Sequence, residues 1–490
     1  MLTARLAAYP RLWWATALLL GLALVLGGAA RQGLWSDAVI QIYSLLALGL
    51  IAAKWQAMPQ LSRLSVVLLG GLMLLPLLQL VPLPAFFWSV LPGRGAIAAD
   101  YTVVGMPLPW LPVSLTPERT WRAALALLPG FAMFFATLAL DSKGRRGLGL
   151  LIVVLAMASV LLGLAQIAQG PASPLRLQST TNASVGFFAN RNHYAALLCC
   201  AIPVAATWLI ISMLDRRSER IIVLALSIIV YASLLVGLAA AQSRAGIFLG
   251  VLAGLGSVGL ALVQGRRFAR FGALVIGGAW LIGLLLIIQY AVLGILGRFE
   301  QDVLDDFRFE IARVTLQAIL AFQPFGSGIG TFDSIYRMFE TPDVLLQPYV
   351  NHAHNEWLEL ALEGGIPAIV LLAAFLFWFG SASLSVWRQR SSKISGLDLA
   401  LARAATIIVT ILVLHSTVDY PLRTTALMVL FGWACALLAD PFGRNAQPAG
   451  MSGHTRSDGG RHRRWKELRE WERRSAGYRS SVRDRGPFDT

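Results

Sequence analysis

Two histidines, two asparagines and three carboxylates crowd the stretch "YVNHAHNEWLELALEGG", residues 349 to 365, in a chain with only six histidines among 490 residues. Imidazole is the side chain best placed to exchange protons near neutral pH. Asn355 reads as the N-cap of a helix "EWLELALE", Glu356 suits its first turn, and Gly364 with Gly365 reads as a stop before Pro367 opens the next helix. His354 then sits at the positive end of that helix, where the dipole favours the neutral, proton-accepting imidazole. His352 is expected farther out, on a freer segment. Glu359 and Glu363 share a helix face at a spacing of four, where they could orient a basic partner or meet water, and the solvated reading is preferred. A metal site is the competing chemistry. An extended segment before Asn355 would point His352 and His354 the same way, towards a shared cation, but the sequence specifies no third strong ligand.

Arginines recur in the other polar stretches: Arg191 in "GFFANRNHYAALL", Arg244 in "AQSRAG", Arg308 in "DDFRFEIARV", and Arg423 after Asp419 in "HSTVDYPLR". Each has a bland role. Arg244 could cap or snorkel between two helices, Arg191 lies between the capping residues Asn190 and Asn192, and Arg308 has Asp305, Asp306 and Glu310 nearby for ion pairing. Gathered on one face of a membrane they mean more, because the planar guanidinium fork suits phosphate and a boundary charge is costly unless used. The ligand expected is phosphorylated and lipid-linked.

The elements that must position these residues are membrane helices. Hydrophobic residues make up 57% of the chain, charged residues 14%, and the mean hydropathy is +0.65, against about 25% charged residues in a soluble domain. Apolar runs near 12–30, 36–53, 63–81, 120–140, 148–168, 193–213, 221–241, 245–263, 272–296, 366–386, 399–416 and 424–439 each approach the roughly 20 residues that cross a bilayer. The first is read as a retained span, since no small-residue cleavage site follows it. With the N-terminus inside, the inner loops hold Lys54 and Arg63, "DSKGRR", "DRRSER", "QGRRFAR" and "WRQRSSK", as the positive-inside rule requires. The fold class expected is an all-α polytopic membrane protein of about twelve spans. Its outer connections are a Pro-rich segment 82–119, a polar loop 169–192, "AQSRAG", a large loop 297–365 and "HSTVDYPLR".

The +15 formal charge therefore reports topology first. From Pro441 onward the tail carries twelve Lys/Arg against six Asp/Glu. Its stretch "RRWKELREWERR" could lie on anionic lipid as an amphipathic helix or remain disordered. No nucleic-acid-binding module accompanies these charges, so nucleic acid is excluded as a partner. Cys199, Cys200 and Cys435 all fall in spans and suggest no disulfide framework.

In order along the chain, "GFFANRNHYAALL", "AQSRAG", "FRFEIARVTLQAILAFQPFGSGIGTF" and "HAHNEWLELALEGGIPA" resemble the O-antigen ligase and polymerase superfamily of bacterial envelope glycosyltransferases. The similarity covers roughly 180–440, leaving N-terminal transmembrane helices over 1–179 and a basic cytoplasmic tail over 441–490. The resemblance implies a GT-C-like enzyme of the bacterial inner membrane, working at the periplasmic face with loop 297–365 outside. It implies an undecaprenyl-pyrophosphate-linked glycan as donor, and a second glycan, lipid A core or protein as acceptor. Membrane lipids and polysaccharide assembly or export proteins are the other partners it suggests. The family's loop histidine falls on His354 and its pyrophosphate-binding arginines on Arg191 and Arg244, with Arg308 as a further position. His352, Asn355, Glu359, Asp419 and Arg423 are supporting candidates. No cofactor and no metal is called for. Pyrophosphate leaves readily once arginines neutralise it, and His354 would deprotonate the acceptor hydroxyl in an inverting attack. An exporter of the same lipid-linked glycan would need the spans and the arginines but no base, and a structural partner in an export complex would need neither.

Overall fold

The computed structural model describes residues 10–29, 34–53, 58–176, 183–214, 220–263, 277–278, 280–281, 285, 303–341, 349–389 and 396–441. The expected tail helix and nearly all of the span expected at 272–296 lie outside these residues. The described chain is helical apart from one two-stranded antiparallel pair.

The helices are α1 (Arg11–Leu26), α2 (Trp35–Ala52), α3 (Arg63–Gln79), α4 (Ala85–Ser89), α5 (Gly95–Val103), α6 (Pro117–Ala126), α7 (Leu128–Ala139), α8 (Ser142–Gln169), α9 (Arg191–Leu214), α10 (Arg220–Ala241), α11 (Arg244–Val263), α12 (Val303–Phe322), α13 (Phe332–Phe339), α14 (Glu356–Arg388), α15 (Gly396–His415) and α16 (Thr425–Ala439). By length and composition, seven are able to cross a membrane among the described residues: α2, α6 with α7, α8, α9, α11, α14 and α15. Shorter apolar helices cover Arg11–Leu26, Arg63–Gln79, Ala225–Ala241 and Thr425–Ala439. The chain is thus an all-α, multi-pass membrane protein.

Helix α9 is the centre of the bundle. It packs against α8, α10, α11 and α15, and the residues from Tyr194 to Ala206 are buried. Helices α2 and α8 instead present Ile42, Leu46, Val154 and Leu161 outward, the aspect of a surface solvated by lipid chains.

Gly364 and Gly365 end the regular helix that Asn355 begins, as their place in the sequence predicts. Gly365, at φ 59° and ψ −154°, leaves the helical region, and across this kink a second helix runs on to Arg388. Pro367 has no N–H to give the carbonyl of Glu363, so that acceptor is released. It takes instead the Gly328 N–H at 2.9 Å, while the Leu362 carbonyl takes the Ser327 N–H at 3.0 Å and the Ile366 N–H turns to Pro324 O at 2.9 Å. The loop "FGSGIG" is therefore stitched to the kink. A side chain at Gly326, where φ is 75°, would meet the Glu363 carbonyl oxygen at 2.5 Å, so only glycine lets the two backbones approach. Gln79, at the end of α3, fastens both, giving its amide to Glu363 O at 2.9 Å and accepting from Ile329 N at 2.8 Å.

Candidate active site

Asn355 caps α14 as its position requires, its Oδ1 accepting from the N–H groups of Trp357 and Leu358 at 3.0 and 3.1 Å. The cap holds the preceding backbone in a strained turn. Among the described residues, the non-glycine residues with positive φ are His354 at 49° and Gln242 at 48°, and both lie in motifs singled out by their chemistry. Such strain persists only where the surroundings enforce it, and it gathers at functional sites.

His354 is oriented by Asp419, whose Oδ1 stands 3.3 Å from Nδ1 of the ring. Asp419 is fully buried and gathers polar groups from three elements. Asn192 gives its amide to Oδ2 at 2.8 Å, Asn190 approaches the same oxygen at 3.4 Å, and the Tyr420 N–H donates to Oδ1 at 3.0 Å. His193 Nε2 lies 3.6 Å from Oδ1 and His415 Nε2 4.0 Å from Oδ2, distances of charge contact and not of hydrogen bonding. Burial raises the Asp419 carboxyl, but the close approach of His193 and His354 outweighs it and holds the group well below the usual carboxylate range. Asp419 is therefore an anion, able to fix the orientation of His354 and to stabilise positive charge on it.

Two of the three phosphate candidates are linked to this anion through their chain neighbours. Arg191 opens α9 between Asn190 and Asn192, both in contact with Asp419. Arg244 opens α11 next to Ser243, whose hydroxyl donates to Asn192 Oδ1 at 2.7 Å and caps α11 by accepting the Gly246 N–H at 2.9 Å. Arg308 is half-buried on α12, and its charge acts on His415. The fold thus links the chain neighbours of Arg191 and Arg244 to Asp419.

The solvated reading of Glu359 and Glu363 is overturned. Both are buried, because Arg423, sixty residues on, lies between them: Nη1 is 3.2 Å from Glu359 Oε1 and Nη2 is 2.7 Å from Glu363 Oε2. Burial lowers the Arg423 guanidinium, but the charges of Glu359 and Glu363 raise it by more, so that it lies above its usual range. Glu356 closes the set, accepting from the Arg423 N–H at 2.9 Å and from the Ser416 hydroxyl. Arg423 also borders a cavity lined by Asp37, Gln41 and Arg122.

His352 is not on a freer segment than His354. Its Nδ1 is 2.9 Å from Glu359 Oε1 and its ring stacks on Tyr420 at 4.1 Å. The two imidazoles turn to different carboxylates. Farther out, Asp333 clamps the segment that leads to them, accepting from the Tyr349 hydroxyl at 2.8 Å and pairing with Arg119 at 2.5 Å and Arg337 at 3.1 Å. Burial raises the Asp333 carboxyl, and these three partners more than reverse it, leaving it below the usual range.

Sequence reasoning missed His193, Asn192, Tyr420 and Ser243 as site members. The signal was present: "NRNHY" places four polar groups at the head of an otherwise apolar helix, and His415 with Asp419 repeats the i, i+4 spacing of one helical face.

Residues 228–373 match the family model described as O-Antigen ligase. That stretch is similar to an O-antigen ligase domain. It contains Arg244, Arg308, His352, His354, Glu359 and Glu363, while Arg191, Asp419 and Arg423 join the site from outside the matched segment. The match supports the O-antigen ligase superfamily, and with it a glycosyltransferase-type enzyme that takes a lipid-linked glycan donor and a glycan acceptor. No curated protein compared with the chain matches it.

Proposed function

We propose that the protein is an inverting, metal-independent glycosyltransferase of the bacterial inner membrane, with a twelve-span GT-C-like architecture, both termini in the cytoplasm and its site at the periplasmic face. It moves a glycan from undecaprenyl pyrophosphate onto lipid A core, as an O-antigen ligase does, or onto another lipid-linked repeat, as a polymerase does. The observation that carries this reading is the His354–Asp419 pair: an imidazole in a strained turn, with one nitrogen held by a buried carboxylate.

That arrangement is the one a general base needs. With Nδ1 engaged by Asp419, Nε2 is the atom that takes the proton from the acceptor hydroxyl as its oxygen attacks the anomeric carbon. The bond from that carbon to the pyrophosphate oxygen breaks on the opposite face, which inverts the centre. Arg191, Arg244 and Arg308 receive the negative charge that develops on the leaving group. Arg423, already matched by Glu359 and Glu363, holds the histidine-bearing segment in place.

The test is transfer by purified protein from an undecaprenyl-pyrophosphate glycan, with lipid A core and a lipid-linked repeat offered separately as acceptors. Product with either one, retained in the presence of chelator, supports the reading. Donor that crosses the membrane while no product forms with either acceptor would sink it.

A further inference from the structure

Between α3 and α6 the chain leaves the bundle and returns as a hairpin. Its inner side is built. The Trp88 indole N–H donates to Pro112 O at 2.8 Å beside the pairing of Pro82 with Pro112 and Leu83 with Leu111. Arg94, fully buried, donates to Pro92 O at 2.7 Å, Val113 O at 2.6 Å and Gly326 O at 2.8 Å. Its outer side is unlike a water-facing loop. Phe86, Phe87, Val90, Val103, Val104 and Trp110 are between 58% and 84% exposed. From Pro82 to Thr116 the charged residues are Arg94 and Asp100 alone, where a water-soluble segment would carry about one charge in four residues.

We propose that residues 84–110 form an interfacial hairpin whose apolar face lies in the lipid leaflet at the site's end of the bundle, fastened through Arg94 to the loop at Gly326. Lipid is the occupant the chemistry fits. The hairpin leaves a shorter apolar helix and returns to a candidate span, so its C-terminal end stands where a span begins. Its helices, of five and nine residues, are too short to cross the roughly 20-residue hydrocarbon core, and exposed Trp and Phe are the residues that settle at its boundary. Resting on the donor proposed above, a further consequence is that the hairpin keeps the loop 326–330 at headgroup depth, where the pyrophosphate of a lipid-linked donor lies.

The test measures depth and needs no activity. The three native cysteines are buried, so Phe86→Cys, Val103→Cys and, as a reference whose native side chain is 77% exposed, Glu118→Cys can each carry a nitroxide in the full chain. The labelled proteins are reconstituted in phosphatidylethanolamine and phosphatidylglycerol vesicles and probed with oxygen, which concentrates in lipid, and with a neutral nickel chelate, which stays in water. Oxygen should dominate at 86 and 103, and nickel at 118. Nickel access at 86 and 103 equal to that at 118 overturns the proposal. Shielding from both reagents also overturns it, because protein, such as a second copy of the chain, then covers the face.

Discussion

Nδ1 of His354 lies 3.3 Å from Oδ1 of Asp419, although 65 positions separate the two residues in the chain. The contact joins the start of α14 to the turn between α15 and α16, and it selects which ring nitrogen can meet a substrate. Asp419→Asn keeps the size but loses the charge and can present its amide N–H to the ring. Transfer should fall by about 10² to 10⁴, the usual range for general-base catalysis, with donor binding unchanged. Single-turnover kinetics beside a donor-binding assay separate the two effects, and unchanged turnover would remove Asp419 from the mechanism.

Arg423 tests whether the acidic ladder is structural. Arg423→Leu strands Glu359 and Glu363 without a cation, a loss of about 3–5 kcal/mol for a broken buried pair. Adding Glu359→Gln and Glu363→Gln removes the stranded charges and should recover part of that loss. Thermal unfolding in detergent reads the difference. A triple variant less stable than Arg423→Leu alone would contradict the pairing.

Arg244→Lys keeps a positive charge and loses the fork. Turnover should fall roughly tenfold to a hundredfold, the worth of a charge-assisted hydrogen bond of about 1.5–3 kcal/mol. Steady-state kinetics with the lipid-linked donor measure it. Full activity would take Arg244 out of the pyrophosphate site.

Asp333 gives the segment before the histidines a dependence on acid. Its folded carboxyl titrates below the unfolded value of about 3.9. The clamp on Tyr349 is therefore fully present above that value and is lost as the pH falls through the folded-state value. Hydrogen exchange at residues 349–355 should accelerate as the pH drops below about 4, once the intrinsic pH dependence of exchange is removed. Asp333→Asn should show the faster exchange already at neutral pH.

The local features of the site were legible in the sequence, and the long-range ones were not. Asn355 caps its helix because capping depends on neighbours two and three positions away. The spacing of Glu359 and Glu363 told that they share a face, but not that the face turns inward, because the arginine that makes burial tolerable arrives sixty residues later. His352 and His354 differ by two positions and looked ranked by their distance from the cap. Their partners, Glu359 and Asp419, come from different elements and hold both. The stop expected at Gly364 and Gly365 is present as a break between two helices, but the sequence did not show that a loop with three positive-φ glycines, Gly326, Gly328 and Gly330, lies against it and supplies N–H groups to the freed carbonyls.

The most direct test of the central claim compares His354→Ala with His352→Ala in purified, reconstituted protein, measuring glycan transfer and donor binding side by side. His354→Ala should bind donor as the parent does and lose transfer by about 10² to 10⁴. His352→Ala should retain measurable turnover while its thermal stability drops, since it loses the contacts with Glu359 and Tyr420. Transfer that survives His354→Ala, or that vanishes only in His352→Ala, would contradict the assignment of His354 as the base.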